Sequence, residues 1–335
     1  MGESPPVARD LLMPAEWEPH ARTWMAFPPA VYGGGPPAVA REAWSAVARA
    51  IARFEPVAMV VDPADVDHAR ALVGDVAEVV VVPLNDAWAR DIAPTFVKDG
   101  SETVAVDWEF NGWGAQSWAH WEKDREVARA IAAHLGVEVV AGGLVNEGGG
   151  IEVDGAGTVV LTETVQRDLG RNPGLTRSDV EACVHGALGT TRALWLERGL
   201  AGDYLEFGTR GHVDLVAKFV SPGVAMVHDQ RDLSHPDHAV TLDATEHLTA
   251  AGNEVVPVPA PATREVDGRT CDWSYVNCYL CNGAVILGTY GDDRDDEAAG
   301  VLRTLFPRRE VVRVDARPLF ALGGGVHCIT QQQPA

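Results

Sequence analysis

The chain predicts a mixed α/β fold, and three observations carry that expectation. Short apolar, β-branched runs recur along its 335 residues, helical patterns lie between many of them, and no charged low-complexity linker divides the sequence. Residues 57–61, 79–82, 103–106 and 137–140 read as strands, followed by 158–162, 215–220, 224–227, 254–258, 284–287 and 311–314. Helical periodicity falls on residues 38–54, 65–73, 121–135, 176–188, 243–251 and 295–306. The fourth of these opens on Thr176 with Asp179 three residues on, the pattern of a capping box. The proline- and glycine-rich stretches 28–37 and 257–261 read as loops inside one body, so residues 1–335 are expected to form a single catalytic domain.

Composition removes several classes of function. Hydrophobic residues make up 46% and charged residues 22%, ordinary globular usage. No apolar run approaches the ~18 residues needed to span a bilayer. The first ten residues carry acids and prolines where a secretory signal needs a basic start and an apolar run, which predicts a cytoplasmic protein. With 48 acidic against 27 basic residues the formal net charge is -21. Such a field repels nucleic-acid phosphates and anionic lipid, and it draws in a small cation. The five cysteines, an odd number in a long chain, read as reduced thiols. Cys278 and Cys281 form a C-x-x-C, but inside the apolar SYVNCYLCNGAVIL they read as part of a buried strand pair and not as a zinc site.

Four segments combine glycines with groups capable of proton or charge work: NDAWARDIAPTF at 85–96, NEGGGIEVDG at 146–155, GTRGHVDLVAKF at 208–219 and ALGGGVHCIT at 321–330. Taken singly, each has a structural explanation in tight turns or core packing. Together they supply what hydrolysis of a guanidinium group requires. That planar cation resists attack because addition breaks the resonance that spreads its charge. Carboxylates must pair its N–H forks in plane, and Asp91 and Asp214 are candidates. A thiolate must add to its carbon, and Cys328 is offered by a glycine-rich turn. A proton-transfer group must release the nitrogen and activate water, and His212 stands two residues before Asp214, on the same face of a presumed strand.

The motifs MPAEWEPHARTWMAFP (13–28), NDAWARDIAPTFV, DWEFNGWG (107–114), NEGGGIEVDG, RNPGLT (171–176), GHVD and GGGVHCITQQQP occur in one order along nearly the whole chain. In this it resembles the agmatine deiminase family of guanidino-modifying enzymes. The resemblance implies a pentein α/β propeller, five ββαβ modules around a pseudo-fivefold axis with the site at the centre. It implies Cys328 as nucleophile, His212 as general acid and base, and Asp91 and Asp214 as the guanidinium clamp. Glu147 completes those contacts close to His212, and Trp88 and Trp113 stand at the substrate entrance. It further implies a small cationic guanidino substrate and a ureido product, N-carbamoylputrescine where the substrate is agmatine, with a place in polyamine biosynthesis. No metal or organic cofactor and no nucleic-acid or membrane partner is expected, and a homo-oligomer, a dimer, is.

The sequence departs from the family at EFGTRGHVD, where the family reads approximately DETNGHVD. Gly208 replaces the Glu near the ligand's amine end and Arg210 replaces the Asn. Arg210 either lies by the substrate tail, disfavouring an ammonium there, or points outward or pairs with Glu206. GGGVHC likewise stands where GGGNIHC is common. Two alternatives share some chemistry. An amidinotransferase would intercept the thioether with an amine, and a manganese guanidinohydrolase would need paired Asp/His runs, for which HDQRD at 228–232 and HPDH at 235–238 are poor substitutes.

Overall fold

The computed structural model describes residues 9–30, 37–263, 265–266 and 269–335. The reading of the first eight residues, and of most of the 28–37 loop, falls outside them.

One local pattern recurs along the chain: two antiparallel strands, a helix, and a third strand parallel to the second. A hairpin needs only a tight turn, whereas a parallel neighbour needs a crossover, and here a helix supplies it. Thr95–Asp99 and Glu102–Glu109 pair antiparallel, and Val127–Leu135 then leads to the parallel Glu138–Val145. Glu152–Val153, Thr158–Thr162, the helix Arg177–Leu188 and Arg192–Leu196 repeat it. So do Ala217–Ser221, Val224–Asp229, Asp237–Ala250 and Glu254–Pro259, and then Tyr279–Cys281, Ala284–Thr289, Asp295–Leu305 and Glu310–Asp315. The remaining module is assembled from both ends of the chain. Gln331–Pro334 pairs antiparallel with His20–Ala26, which runs parallel to Val57–Val61 across the helix Pro37–Ile51.

Packing follows the apolar patterns. Pro37–Ile51 buries Ala40, Trp44, Val47, Ala48 and Ile51, one stripe at helical spacing, while every residue of Val57–Val61 is buried, as befits an inner strand. Arg177–Leu188 begins at the expected cap: the Thr176 hydroxyl accepts from the Asp179 amide, and the Asp179 carboxylate accepts from the Thr176 amide. Among the described residues no helix is long and apolar enough to cross a membrane.

Two readings are corrected. Glu254–Pro259 is a strand reaching into the stretch read as a loop. It lies at the edge of its sheet, where a proline's missing N–H is tolerated. The strand read over 215–220 begins only at Ala217. His212 and Asp214 therefore do not share a strand face, because Val213–Leu215 forms a single 3-10 turn with His212 at its N-terminal boundary.

Candidate active site

The chemistry-bearing residues occupy one recurring place in the fold, the segment that leads into the first strand of a module. Asp91 lies in the turn Ala89–Ile92 before Thr95–Asp99, and Glu147 precedes the turn Gly148–Gly150 before Glu152–Val153. His212 and Asp214 lead into Ala217–Ser221, Asn277 into Tyr279–Cys281 and Cys328 into Gln331–Pro334. Five distant stretches thus deliver six side chains from the same place in the same motif, two to five residues ahead of its first strand.

Local hydrogen bonds hold these segments. The buried Asp203 carboxylate accepts from the amides of Thr209, Gly211 and His212 at 2.7, 2.6 and 2.9 Å. It organises a loop in which Arg210 has φ 71° and Gly211 φ 114°. Trp113 also sits in the left-handed region, at φ 56°. Non-glycine residues held there cost on the order of 1–2 kcal/mol each, and such strain concentrates at functional loops. Gly149 is dictated by crowding, since a Cβ there would lie 2.4 Å from His212 Nδ1. A Cβ at Gly324 would lie 3.1 Å from Cys328 Sγ and 2.9 Å from the Trp88 ring.

Two halves meet at Asp91. On one side His212 Nε2 is 3.2 Å from Glu147 Oε2, and Glu147 is gripped by the Nε of the fully buried Arg171 at 2.9 and 3.0 Å. On the other, Cys328 Sγ is 3.7 Å from Asp214 Oδ2 and 3.4 Å from Asn277 Nδ2. Asp91 accepts from the Gly149 amide at 3.0 Å and the Trp113 indole at 2.9 Å, with His212 Nδ1 3.9 Å away. Asp214 is held at one oxygen only. Oδ2 accepts from Asn277 at 3.0 Å and lies 2.7 Å from His327 Nδ1, while the buried Oδ1 has no hydrogen-bond partner among the described residues. An orphaned buried acceptor costs roughly 1–3 kcal/mol and is recovered by any donor that reaches it.

Electrostatics sort these groups by role. Burial works against the His212 cation, but the Asp91 and Glu147 carboxylates overcome it and raise the imidazole to about 9. Burial raises Asp91 to about 6, helped by its neighbours Glu147 and Asp214. Burial also opposes ionisation of Glu147 and Asp214, yet both end below the ordinary carboxylate range, Glu147 through Arg171 and His212, and Asp214 through its bond to His327. Cys328 is pushed well up by burial and then by Asp214 and Asp91. The arrangement pairs a protonated imidazole with a thiol whose ionisation the carboxylates oppose, so a cation set between the carboxylates favours the thiolate.

The residues predicted from sequence fall around this site, with differences in detail. Trp113 touches Asp91 directly and stacks on Trp118, whereas Trp88 packs edge-on against Trp44 and reaches the site beside Gly324. Both tryptophans are buried, 3% and 5% exposed, so they line the site from within. Arg210 pairs with Asp168 and not with Glu206. Its Nη1 is 3.0 Å from Asp168 Oδ2, because the loop turn at Arg210 aims the side chain toward the Trp113–Gly114 segment. Sequence reasoning missed Asn277, His327, Arg171 and Glu16. All four stood in quoted stretches without a role, and Asn277, in SYVNCYLCNGAVIL, has no local signal beyond its place ahead of a strand. In the HDQRD and HPDH stretches, His228 Nδ1 engages Ser274 and His238 Nδ1 the Gln230 carbonyl. Among the described residues no three His, Cys, Asp or Glu side chains are placed to hold a metal ion.

Comparison with known proteins gives a consistent result. The family model of the Porphyromonas-type peptidyl-arginine deiminases matches residues 12–334. A Streptomyces coelicolor protein provisionally named agmatine deiminase is 53% identical, over 96% of this chain and 98% of its own. The agmatine deiminase of Ectopseudomonas mendocina is 38% identical over 98% and 97% of the two chains. The solved agmatine deiminase of Enterococcus faecalis superposes with a TM-score of 0.90 at 31% identity, covering 97% of this chain and 96% of its own.

Proposed function

The chain belongs to the Porphyromonas-type peptidyl-arginine deiminase family, and from that premise we propose that it hydrolyses the guanidinium of agmatine to N-carbamoylputrescine and ammonia through a covalent intermediate on Cys328. The observation that carries this reading is the pair of buried carboxylates, Asp91 and Asp214, bracketing a cysteine and a protonated histidine. In the proposed fold the five modules surround a pseudo-fivefold axis as one catalytic domain, with the five strand-leading segments at its centre. The acidic surface, with its net charge of -21, supports capture of a cation.

The guanidinium donates to the free Oδ1 of Asp214 and to Asp91, which satisfies the orphaned acceptor and cancels the charges that hold Cys328 as a thiol. As the cation binds, the Cys328 thiol releases its proton to solvent, and the thiolate adds to the guanidinium carbon. His212, cationic at neutral pH, gives its proton to the departing nitrogen, and ammonia leaves an amidino-thioether. The neutral imidazole then takes a proton from water as the oxygen adds. Collapse expels the Cys328 sulfur, which leaves the ureido product and restores the thiol. The agmatine guanidinium cation and one water give N-carbamoylputrescine, one ammonia and the proton released by the thiol, together one ammonium, so atoms and charge balance with the enzyme regenerated. Arg171 keeps Glu147 ionised and Glu147 orients the imidazole.

Gly208 and Arg210 shape the tail region. With Asp168 matching its charge, Arg210 leaves room for an ammonium tail, which supports agmatine over a guanidino acid. A panel of agmatine, arginine, 4-guanidinobutyrate and 3-guanidinopropionate scored for ammonia tests this. Agmatine is expected to turn over fastest, with the amidino adduct trapped on Cys328 by mass spectrometry. Turnover in Cys328→Ser, or release of urea, would overturn the mechanism.

A further inference from the structure

The proposed reaction uses Asp214 but leaves unexplained why a buried carboxylate beside a cysteine stays ionised. Behind it lies a line of charged groups away from the substrate side. His327, the residue before the nucleophile, is 1% exposed, with Nδ1 2.7 Å from Asp214 Oδ2 and Nε2 2.7 Å from Glu16 Oε2. A neutral imidazole has one N–H and one lone pair, and a lone pair facing a carboxylate at that distance is repulsive. Both ring nitrogens therefore donate. Glu16 is anchored in turn: Lys218 Nζ lies 3.1 Å from both its oxygens, the Leu280 amide donates at 2.8 Å and Arg90 Nη2 is 3.5 Å away. Glu152 sits 3.9 Å from Lys218, and Asn277 accepts from the His327 amide.

We propose that His327, held as an imidazolium between Asp214 and Glu16, is a positioning residue for the guanidinium clamp, so that Glu16 governs substrate binding without touching substrate. The inference deepens the deiminase reading and rests on it. The groups facing His327 are Asp214 and Glu16 at its ring nitrogens, Arg90 and Cys328 beside it, and Lys218 and Glu152 behind Glu16. The cation does two things. It fixes Oδ2 so that Oδ1 remains the free acceptor, and it is the chief influence keeping Asp214 below the ordinary carboxylate range. Glu16 comes from the opening MPAEWEPH motif, far in sequence from any residue of the reaction.

Two substitutions at Glu16 separate charge from packing. Glu16→Gln keeps the volume and the acceptor but removes the charge, and Glu16→Asp keeps the charge but shortens the side chain. The proposal expects Glu16→Gln to raise KM for agmatine roughly 10- to 100-fold with a smaller change in kcat, and to move the acid limb of kcat/KM to higher pH. Glu16→Asp should return the limb toward wild type. A purely structural role predicts the reverse order of damage, lower melting temperatures and an unmoved limb, and that result overturns the proposal. The wild-type protein gives a second test, independent of how variants fold. In histidine-15N-labelled protein, assigned by difference with His327→Asn, both ring nitrogens of His327 should report protonation through neutral pH, and one unprotonated nitrogen overturns it. These signals do not need turnover. Wild type inert on agmatine would remove the deiminase reading, while the nitrogen signals would still decide the state of His327.

Discussion

Glu147→Gln isolates the group that sets the working range of His212. The amide replaces the carboxylate at equal volume, so packing is preserved while one negative charge is removed. His212 stands at about 9 against an ordinary 6.5, a difference worth about 3 kcal/mol in favour of the cation. Burial opposes that cation, and Asp91, Glu147 and Asp214 supply the attraction, Glu147 alone adding a direct hydrogen bond at 3.2 Å. A third of the net effect is about 1 kcal/mol, so the alkaline limb of kcat/KM should fall by roughly one pH unit. Arg171 is left buried and uncompensated, a cost of about 3–5 kcal/mol, so melting temperature falls as well and assays belong well below it. Arg171→Met acts in the same sense by another route. It removes the cation that keeps the buried Glu147 ionised, so the attraction on His212 weakens and the limb again moves downward. Ammonia release from agmatine across neutral and alkaline pH reads both. Limbs that stay in place in both variants would refute the assignment of Glu147 as the electrostatic partner of His212.

Three further outcomes follow from the same geometry. Asp214→Asn, which keeps shape but removes the clamp's charge, should lower turnover at least ~100-fold in protein that still folds, with a lower melting temperature because His327 loses a buried carboxylate partner, and near-normal rates would exclude Asp214 from the clamp. Arg210→Asn uncovers the Asp168 carboxylate near Trp113 and should raise the preference for agmatine over 4-guanidinobutyrate by about fivefold or less, the worth of a half-exposed pair; an unchanged ratio places Arg210 away from the tail. Because the folded-state pKa of His212 is raised, its stabilising contribution is fully present below its ordinary value of 6.5 and is lost as pH rises through about 9. The difference in unfolding free energy between wild type and His212→Asn should therefore shrink across that window, and a constant difference would contradict the pairing.

Much of the secondary structure was legible because it is written in short-range terms. Val57–Val61 and Thr158–Thr162 appear where their β-branched runs stand, and Thr176 with Asp179 opens its helix as the capping pattern requires. His20–Ala26 was not legible, since its HARTWMA mixes charge and aromatic residues and its identity as a strand is fixed by Gln331–Pro334 and Val57–Val61 on its two sides. Residues 254–258 appear as the strand their pattern indicates, and the loop reading of 257–261 overlapped it because edge position, which excuses the missing donor of Pro257, is a property of the sheet and not of the segment. The local geometry of His212 and Asp214 was misjudged for the same reason. Three amides converging on Asp203 close a loop there, and no hydrophobic period reports such a loop.

The candidate site shows the same division between what chemistry dictates and what topology dictates. Cys328, His212, Asp91 and Asp214 could be picked out because a guanidinium demands a nucleophile, a proton carrier and carboxylates, and Glu147 was implied by the family resemblance. The groups that make those side chains usable could not. Asp214 owes its low pKa to His327 first, and Glu147 to Arg171, and neither cation contacts a substrate in the proposed reaction. Their necessity comes from burial. A carboxylate exposed to solvent needs no partner to stay charged, but one enclosed beside a thiol does, and the requirement passes outward until a residue such as Lys218 balances the last charge. Asn277 enters by a different route, as the polar residue that the Tyr279–Cys281 module places ahead of its first strand. Place within the repeated motif therefore identifies the fifth contributing segment, where composition and spacing around Asn277 are silent.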